Sequence, residues 1–192
     1  MSARVQLLSA ALLSAWLASG CALQAGPRVG VVADGGGHDA RYAHAANVSA
    51  AVAKQTQGVG LHAGAEVEGY AEWERGGIWT TGLQLGPSYT PAPSLLAPGI
   101  VAHADVGFAL TSGLYDGYVG GGFGIPLALE PRLVTDRNRG FVFVARRIEL
   151  MPVLRYRAYW YDVGNEALWR HGVAGGLNLR LRIESDIVAD LF

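Results

Sequence analysis

Residues 169–184 read WRHGVAGGLNLRLRIE, and this stretch decides the fold class. Taken alternately, it separates into two unlike sets. Trp169, His171, Val173, Gly175, Leu177, Leu179, Leu181 and Ile183 form one. Arg170, Gly172, Ala174, Gly176, Asn178, Arg180, Arg182 and Glu184 form the other. Successive side chains of an extended strand point to opposite faces, so period two marks a strand with one apolar and one polar face. The pattern recurs upstream. Leu61, Ala63, Ala65, Val67, Gly69, Ala71 and Trp73 alternate with His62, Gly64, Glu66, Glu68, Tyr70, Glu72 and Glu74. Ile100, Ala102, Ala104, Val106, Phe108 and Leu110 alternate with Val101, His103, Asp105, Gly107 and Ala109, and Val119 to Leu129 carries a fourth run.

Turn signals separate the runs: Arg75-Gly76-Gly77, Pro98-Gly99, Ser112-Gly113, Asp116-Gly117 and Asp162-Val163-Gly164-Asn165. Strands are expected near 27–33, 45–54, 59–74, 78–90, 99–111, 116–129, 140–159 and 168–184. Residues 39–55 are Ala-rich and fit a strand or a helix capped by Asp39. Repeated hairpins predict an all-β chain, an antiparallel up-and-down barrel of about eight strands.

Composition narrows the class. The chain has 192 residues, enough for one domain, with 51% hydrophobic and 16% charged residues and 27 Gly. A net charge of −1 leaves no electrostatic footprint for nucleic acid. Past Cys21 there is no apolar run of about 18 residues, so no spanning helix is expected. One Cys makes no internal disulfide. Fourteen of the fifteen strong bases are Arg; Lys54 is the exception.

Residues 1–20 have the form of a signal peptide: Arg4 supplies a positive start, and Val5–Leu17 is an uncharged, Leu/Ala-rich segment. Ala18-Ser19-Gly20-Cys21 resembles a bacterial lipoprotein lipobox, although the family usually has Leu where Ala18 stands. The resemblance implies export, cleavage before Cys21 and lipidation of that residue, and Ala22 after it implies sorting to the outer membrane. A short lead, 21–26, then precedes a single barrel domain, 27–192.

Two barrels fit the alternation, with opposite faces inward. A soluble barrel buries the apolar face, whereas an outer-membrane barrel turns it to lipid. Three features favour the second. Several runs reach the 9–11 residues that a tilted membrane strand needs. Trp73 and Trp79 flank one turn and Trp160 and Trp169 another on the same side, as an interfacial aromatic girdle requires; Tyr115 and Tyr118 flank a third. The polar faces also carry segregated charge. Glu66, Glu68 and Glu72 lie on the third strand, Arg147, Arg155 and Arg157 on the seventh, and Arg180 and Arg182 on the eighth. Across a narrow lumen these would pair, Arg being the base that binds carboxylates in a fork. Arg146 is adjacent to Arg147, so a bulge is needed to keep both off the apolar face.

In this architecture residues 27–192 resemble small bacterial outer-membrane β-barrel proteins. The terminal Phe192 is similar to the aromatic of their assembly signal, departing from it in having Asp186 and Asp190 on the same parity. The resemblance implies a non-catalytic cell-envelope protein at the outer membrane, with membrane lipid as its partner.

Other chemistry is thinly represented. His38 and His44 lie near Asp34 and Asp39 without a zinc spacing, so no metal is expected. His171 resembles the histidine of outer-membrane lipid hydrolases, but the nearest downstream Ser is Ser185. His62, His103, Asp105 and Ser112 form a looser set. No catalytic residue and no cofactor are expected. Gly77-Ile78-Trp79 matches the Gly-x-Trp of lipocalins and supplies the alternative: a soluble, lipid-anchored periplasmic barrel binding a small hydrophobic ligand.

Overall fold

The computed structural model describes residues 20–34, 39–53, 58–91, 98–111, 115–129, 134–137, 142–163 and 166–187. Among them are ten strands and no helix: β1 (Gly20–Asp34), β2 (Arg41–Ala53), β3 (Gly58–Glu72), β4 (Gly76–Thr90), β5 (Ile100–Ala109), β6 (Gly117–Gly124), β7 (Leu127–Ala128), β8 (Val134–Arg137), β9 (Val142–Val163) and β10 (Glu166–Ile187). β1 to β6 pair in sequence, β6 pairs with β9, β9 with β10, and β10 returns to β1. Every pairing is antiparallel. Eight strands thus close a barrel, and closure leaves none of those eight with an unpaired edge. β7 and β8 extend the wall along the first half of β9.

The strands depart from the sequence expectation in three places, each with a local cause. β1 begins at Gly20 rather than 27, so residues 21–26 belong to the wall. Pairing with β10 skips Gly26 and Pro27, where proline has no N–H to donate, yet resumes in the same register. Residues 41–53 form a strand, because β1 and β3 offer ladders on both sides. The run expected at 116–129 is interrupted at Ile125-Pro126, and β7 then continues along β9 in the register of β6. The β3–β4 turn is tight: Glu74 takes φ 67° and Gly76 φ 89°. That left-handed geometry costs glycine little.

The orientation of the faces follows from exposure. Glu66 is 1% exposed and Arg180 6%, whereas Leu177 is 45% and Leu179 57% exposed. The same division holds on every barrel strand. Leu23, Val48, Val67, Leu83, Val106, Phe123 and Leu154 lie outside, and Arg28, Asn47, Glu68, Gln84, Asp105 and Arg155 inside. A lipocalin-like soluble barrel needs the reverse, so that alternative is corrected: the interior is polar and the exterior apolar. The expected bulge at Arg146-Arg147 is also absent. The β9–β10 ladder runs unbroken from Val142↔Ile187 to Val163↔Glu166, with Arg146 opposite Ile183 and Arg147 buried. Cys21 lies opposite Ile183 as well, so Arg146 stands at the level where the barrel wall begins.

One end carries the connections 34–41, 72–76, 109–117 and 163–166. The other carries 53–58, 90–100 and 124–142, together with Gly20 and Ile187.

Candidate functional site

The lumen is filled in three layers. At the end of the short turns lies a tyrosine cluster, Tyr70, Tyr115, Tyr118 and Tyr159, packed with Val32, Ala43 and Ile78. Tyr115 stacks on Tyr159 with ring centroids 4.7 Å apart, and Tyr70 packs tilted against Tyr159 at 5.1 Å. Glu72 accepts hydrogen bonds from the hydroxyls of Tyr70 (3.2 Å) and Tyr115. Tyr115 and Tyr118 therefore plug the barrel from within rather than continuing a girdle outside it. Room for Tyr118 comes from missing side chains: a Cβ on Gly107 would stand 2.5 Å from Tyr118 Cζ, and Gly82 is as close to its hydroxyl. Gly107→Ala is expected to lower stability by about 1–3 kcal/mol through overpacking. The shift of the urea midpoint between folded and unfolded gel bands measures it.

The middle layer is an ion cluster across the barrel. β3 faces β9, and Arg155 binds Glu66 in a fork, Nη1 to Oε1 at 2.6 Å and Nη2 to Oε2 at 2.9 Å. Arg157 Nη2 also donates to Glu66 Oε1 at 2.5 Å, and its Nε donates to Asp105 at 3.0 Å. Arg28, from β1, reaches Glu66 at 3.2 Å and also pairs with Glu68. Arg157 pairs with Glu68 too and lies 3.7 Å over the Tyr118 ring. Asn47 and Gln84 donate to Glu66 Oε2 at 3.3 and 3.0 Å. Three bases thus meet three acids, all buried. Such a cluster holds only when every member keeps its partners.

The third layer lies toward the chain ends. Glu149 accepts from Arg180 Nη1 at 2.9 Å, with Arg147 at 3.4 Å and Arg182 at 3.6 Å. Arg182 also donates to Thr90 Oγ1 at 3.3 Å.

The residues singled out from sequence are thus divided among layers. Glu66, Glu68, Arg155 and Arg157 converge; Arg147, Arg180 and Arg182 gather around Glu149; Glu72 stands apart among tyrosines. Arg28 and Asp105 complete the middle layer, and sequence reasoning did not place them there. The available signal was parity: Arg28 is the one charge between Val29 and Val31, which face outward, and Pro27.

Outside, Trp73, Trp79 and Trp169 are exposed at the end of the short turns, and Trp160 lies half-buried 5.7 Å from Trp169. Cys21 is the second residue of β1, paired in register with Val52 and Ile183. His171 lies on the outer wall, where Tyr156 Oη and His171 Nδ1 are 2.6 Å apart, and so contributes nothing to a lumen site. His44 is also exposed. His62 and His103 are inside, their rings 6.2 Å apart. Ser112, Ser185's side chain and His38 lie outside what is described. Among the described residues no three His, Cys, Asp or Glu converge as metal ligands.

Asp39, in the β1–β2 connection, ties the mouth together. It meets Arg41 Nε at 3.0 Å, Arg75 Nη2 at 2.7 Å and Arg170 Nη1 at 3.2 Å. Its hydrogen bond from Arg41 is the largest effect; it outweighs an opposing desolvation and, with the Arg170 hydrogen bond and the charges of both arginines, holds the carboxyl below the ordinary value. A carboxyl lowered on folding stabilises above its unfolded pKa, and that contribution is lost as pH falls through the folded value. The contribution of Asp39 is therefore expected to be lost on the acid side of the usual carboxylate range. Asp39→Asn should flatten that limb while leaving the neutral-pH fold intact.

No protein-family model matches the chain, and no curated protein matches it in sequence. Two solved structures overlay on the barrel. Neisserial surface protein A is 13% identical with a TM-score of 0.48, over 85% of this chain and 96% of that one. Outer membrane protein AlkL, determined by solid-state NMR in DMPC lipid bilayers, is 12% identical with a TM-score of 0.48, over 91% of this chain and 93% of that one.

Proposed function

We propose that this chain is a non-catalytic β-barrel of the bacterial outer membrane, exported by residues 1–20 and acylated at Cys21. One observation carries the reading: every barrel strand sets a row of exposed apolar side chains on its outer face, and the buried charges lie inside. In water such a barrel would expose a continuous apolar belt, far beyond what soluble proteins tolerate. In a bilayer that belt is the solvated face. Trp73, Trp79, Trp160 and Trp169 then lie at one interface. Tyr89, ten residues along β4 from Trp79 and likewise exposed, lies at the other, a spacing that suits one tilted span. Among the described residues the cavities between the lumen layers measure about 20 Å³ each, which favours a filled scaffold presenting its mouth over a pore or a hydrophobic-ligand carrier.

An inserted barrel needs no acyl chain for anchoring. Cys21→Ala is accordingly expected to lose the lipid mass by mass spectrometry yet to remain in the outer-membrane fraction, with a heat-modifiable gel band. Release of the variant into the soluble periplasm would overturn membrane insertion. Identical masses for wild type and variant, apart from the substitution and processing, would overturn acylation alone.

A further inference from the structure

Between the middle and third layers the lumen holds a chamber of about 20 Å³, room for one or two water-sized species. Its wall is one-sided in charge. Arg28, Arg155 and Arg180 line it, with His62, Gln84 and Asn178, and no carboxylate does so among the described residues. The acids that balance these arginines, Glu66, Glu68, Asp105 and Glu149, bind them from outside the chamber. Asn178 is 0% exposed, and neither its amide nitrogen nor its oxygen has a hydrogen-bond partner; Arg28 Nε is also unpartnered. A buried amide without partners implies an occupant that is not protein, since native interiors leave few such groups unsatisfied.

We infer that this chamber is a binding site for a small monovalent anion of halide size. The middle layer is balanced, but Arg147 and Arg180 share Glu149; with Arg180 in its wall the cavity has a positive potential, and in low dielectric that field selects an anion over neutral water. The Asn178 N–H and the free Arg28 Nε–H supply donors. Room for one or two water-sized species suits a monatomic halide better than phosphate or a carboxylic acid. The site is independent of where the barrel resides, because it is built wholly from lumen side chains. Gly26 stands beside Asn178 in the wall: a Cβ there would meet the Leu177 carbonyl oxygen at 2.1 Å and Asn178 Oδ1 at 2.5 Å.

Bromide is the probe. The full chain is folded from urea in detergent with sodium bromide and crystallised, and anomalous scattering is measured at the bromine edge. The expected result is one peak in the chamber, within hydrogen-bond distance of Asn178 Nδ2, that is lost in Asn178→Leu. In solution, bromide or chloride should raise the unfolding midpoint of the wild type saturably relative to gluconate at equal ionic strength, and Asn178→Leu should abolish that difference. A wild-type chamber without an anomalous peak, or a halide effect equal in wild type and variant, overturns the proposal and leaves water as the occupant. If Asn178→Leu does not fold, the wild-type bromide map alone decides.

Discussion

Glu66→Ala is expected to cost about 3–5 kcal/mol, the penalty for stripping the partner from buried charge. Against a typical total stability of about 5–15 kcal/mol, that is a large fraction of the whole. Glu66 receives the Arg155 fork, Arg157, Arg28, Asn47 and Gln84, so its loss leaves three arginines facing two acids. Retaining the side-chain volume does not avoid the effect, because Glu66→Gln also removes the charge. Combining Glu66→Ala with Arg155→Met should recover part of the loss, since the uncompensated base is removed as well. Glu74→Ala is the control: exposed in the β3–β4 turn, it should change stability by no more than about 0.5 kcal/mol. Urea titration of the folded and unfolded gel bands in lipid vesicles reads all four. A Glu66→Ala barrel as stable as wild type would mean that the cluster is not the lumen's main constraint.

Leu83→Arg separates the two environments of the outer wall. Leu83 is 66% exposed, four residues along β4 from Trp79 and six before Tyr89. In a bilayer that places it near mid-depth, where an arginine costs about 2–4 kcal/mol. The same exposed position in water would accept arginine within about 0.5 kcal/mol. The expected outcome is therefore a large loss in vesicles, and a much smaller loss for an arginine at Tyr89, near the interface. Equal, small effects at both positions would contradict a lipid-facing wall.

Much of the barrel was legible because alternation is a local property. Glu66, Glu68 and Val67 announce their two faces without any tertiary information, and so do Arg180, Arg182 and Leu179. What alternation does not carry is the sign of the faces: the same pattern serves a soluble barrel turned inside out. That sign came from closure, which leaves space inside for side chains alone and puts the larger apolar set outside. Register was equally out of reach. Arg28 joins Glu66 and Glu68 only because β10 closes on β1 and brings the first strand beside the pairs made by β3 and β9. Tyr115 and Tyr118 were misplaced for a related reason. Their position beside a turn suggests an interface, but parity and the open space over Gly82 and Gly107 draw Tyr118 inward. Pro27 concealed the true start of β1, since a proline within a run reads as a strand boundary although here it interrupts only the β10 ladder, at Gly26 and Pro27, and leaves the β2 ladder whole.

The central claim is that the outer wall meets lipid, and spin-label accessibility along β4 tests it most directly. In a Cys21→Ala background, which removes the sole cysteine, single labels at Leu83, Gln84 and Leu85 are compared in vesicles for collision with oxygen and with a water-soluble nickel chelate. Positions 83 and 85 are expected to collide readily with oxygen and hardly with nickel, while position 84 is shielded from both. Nickel collisions at 83 and 85 with the frequency of an aqueous site would contradict it.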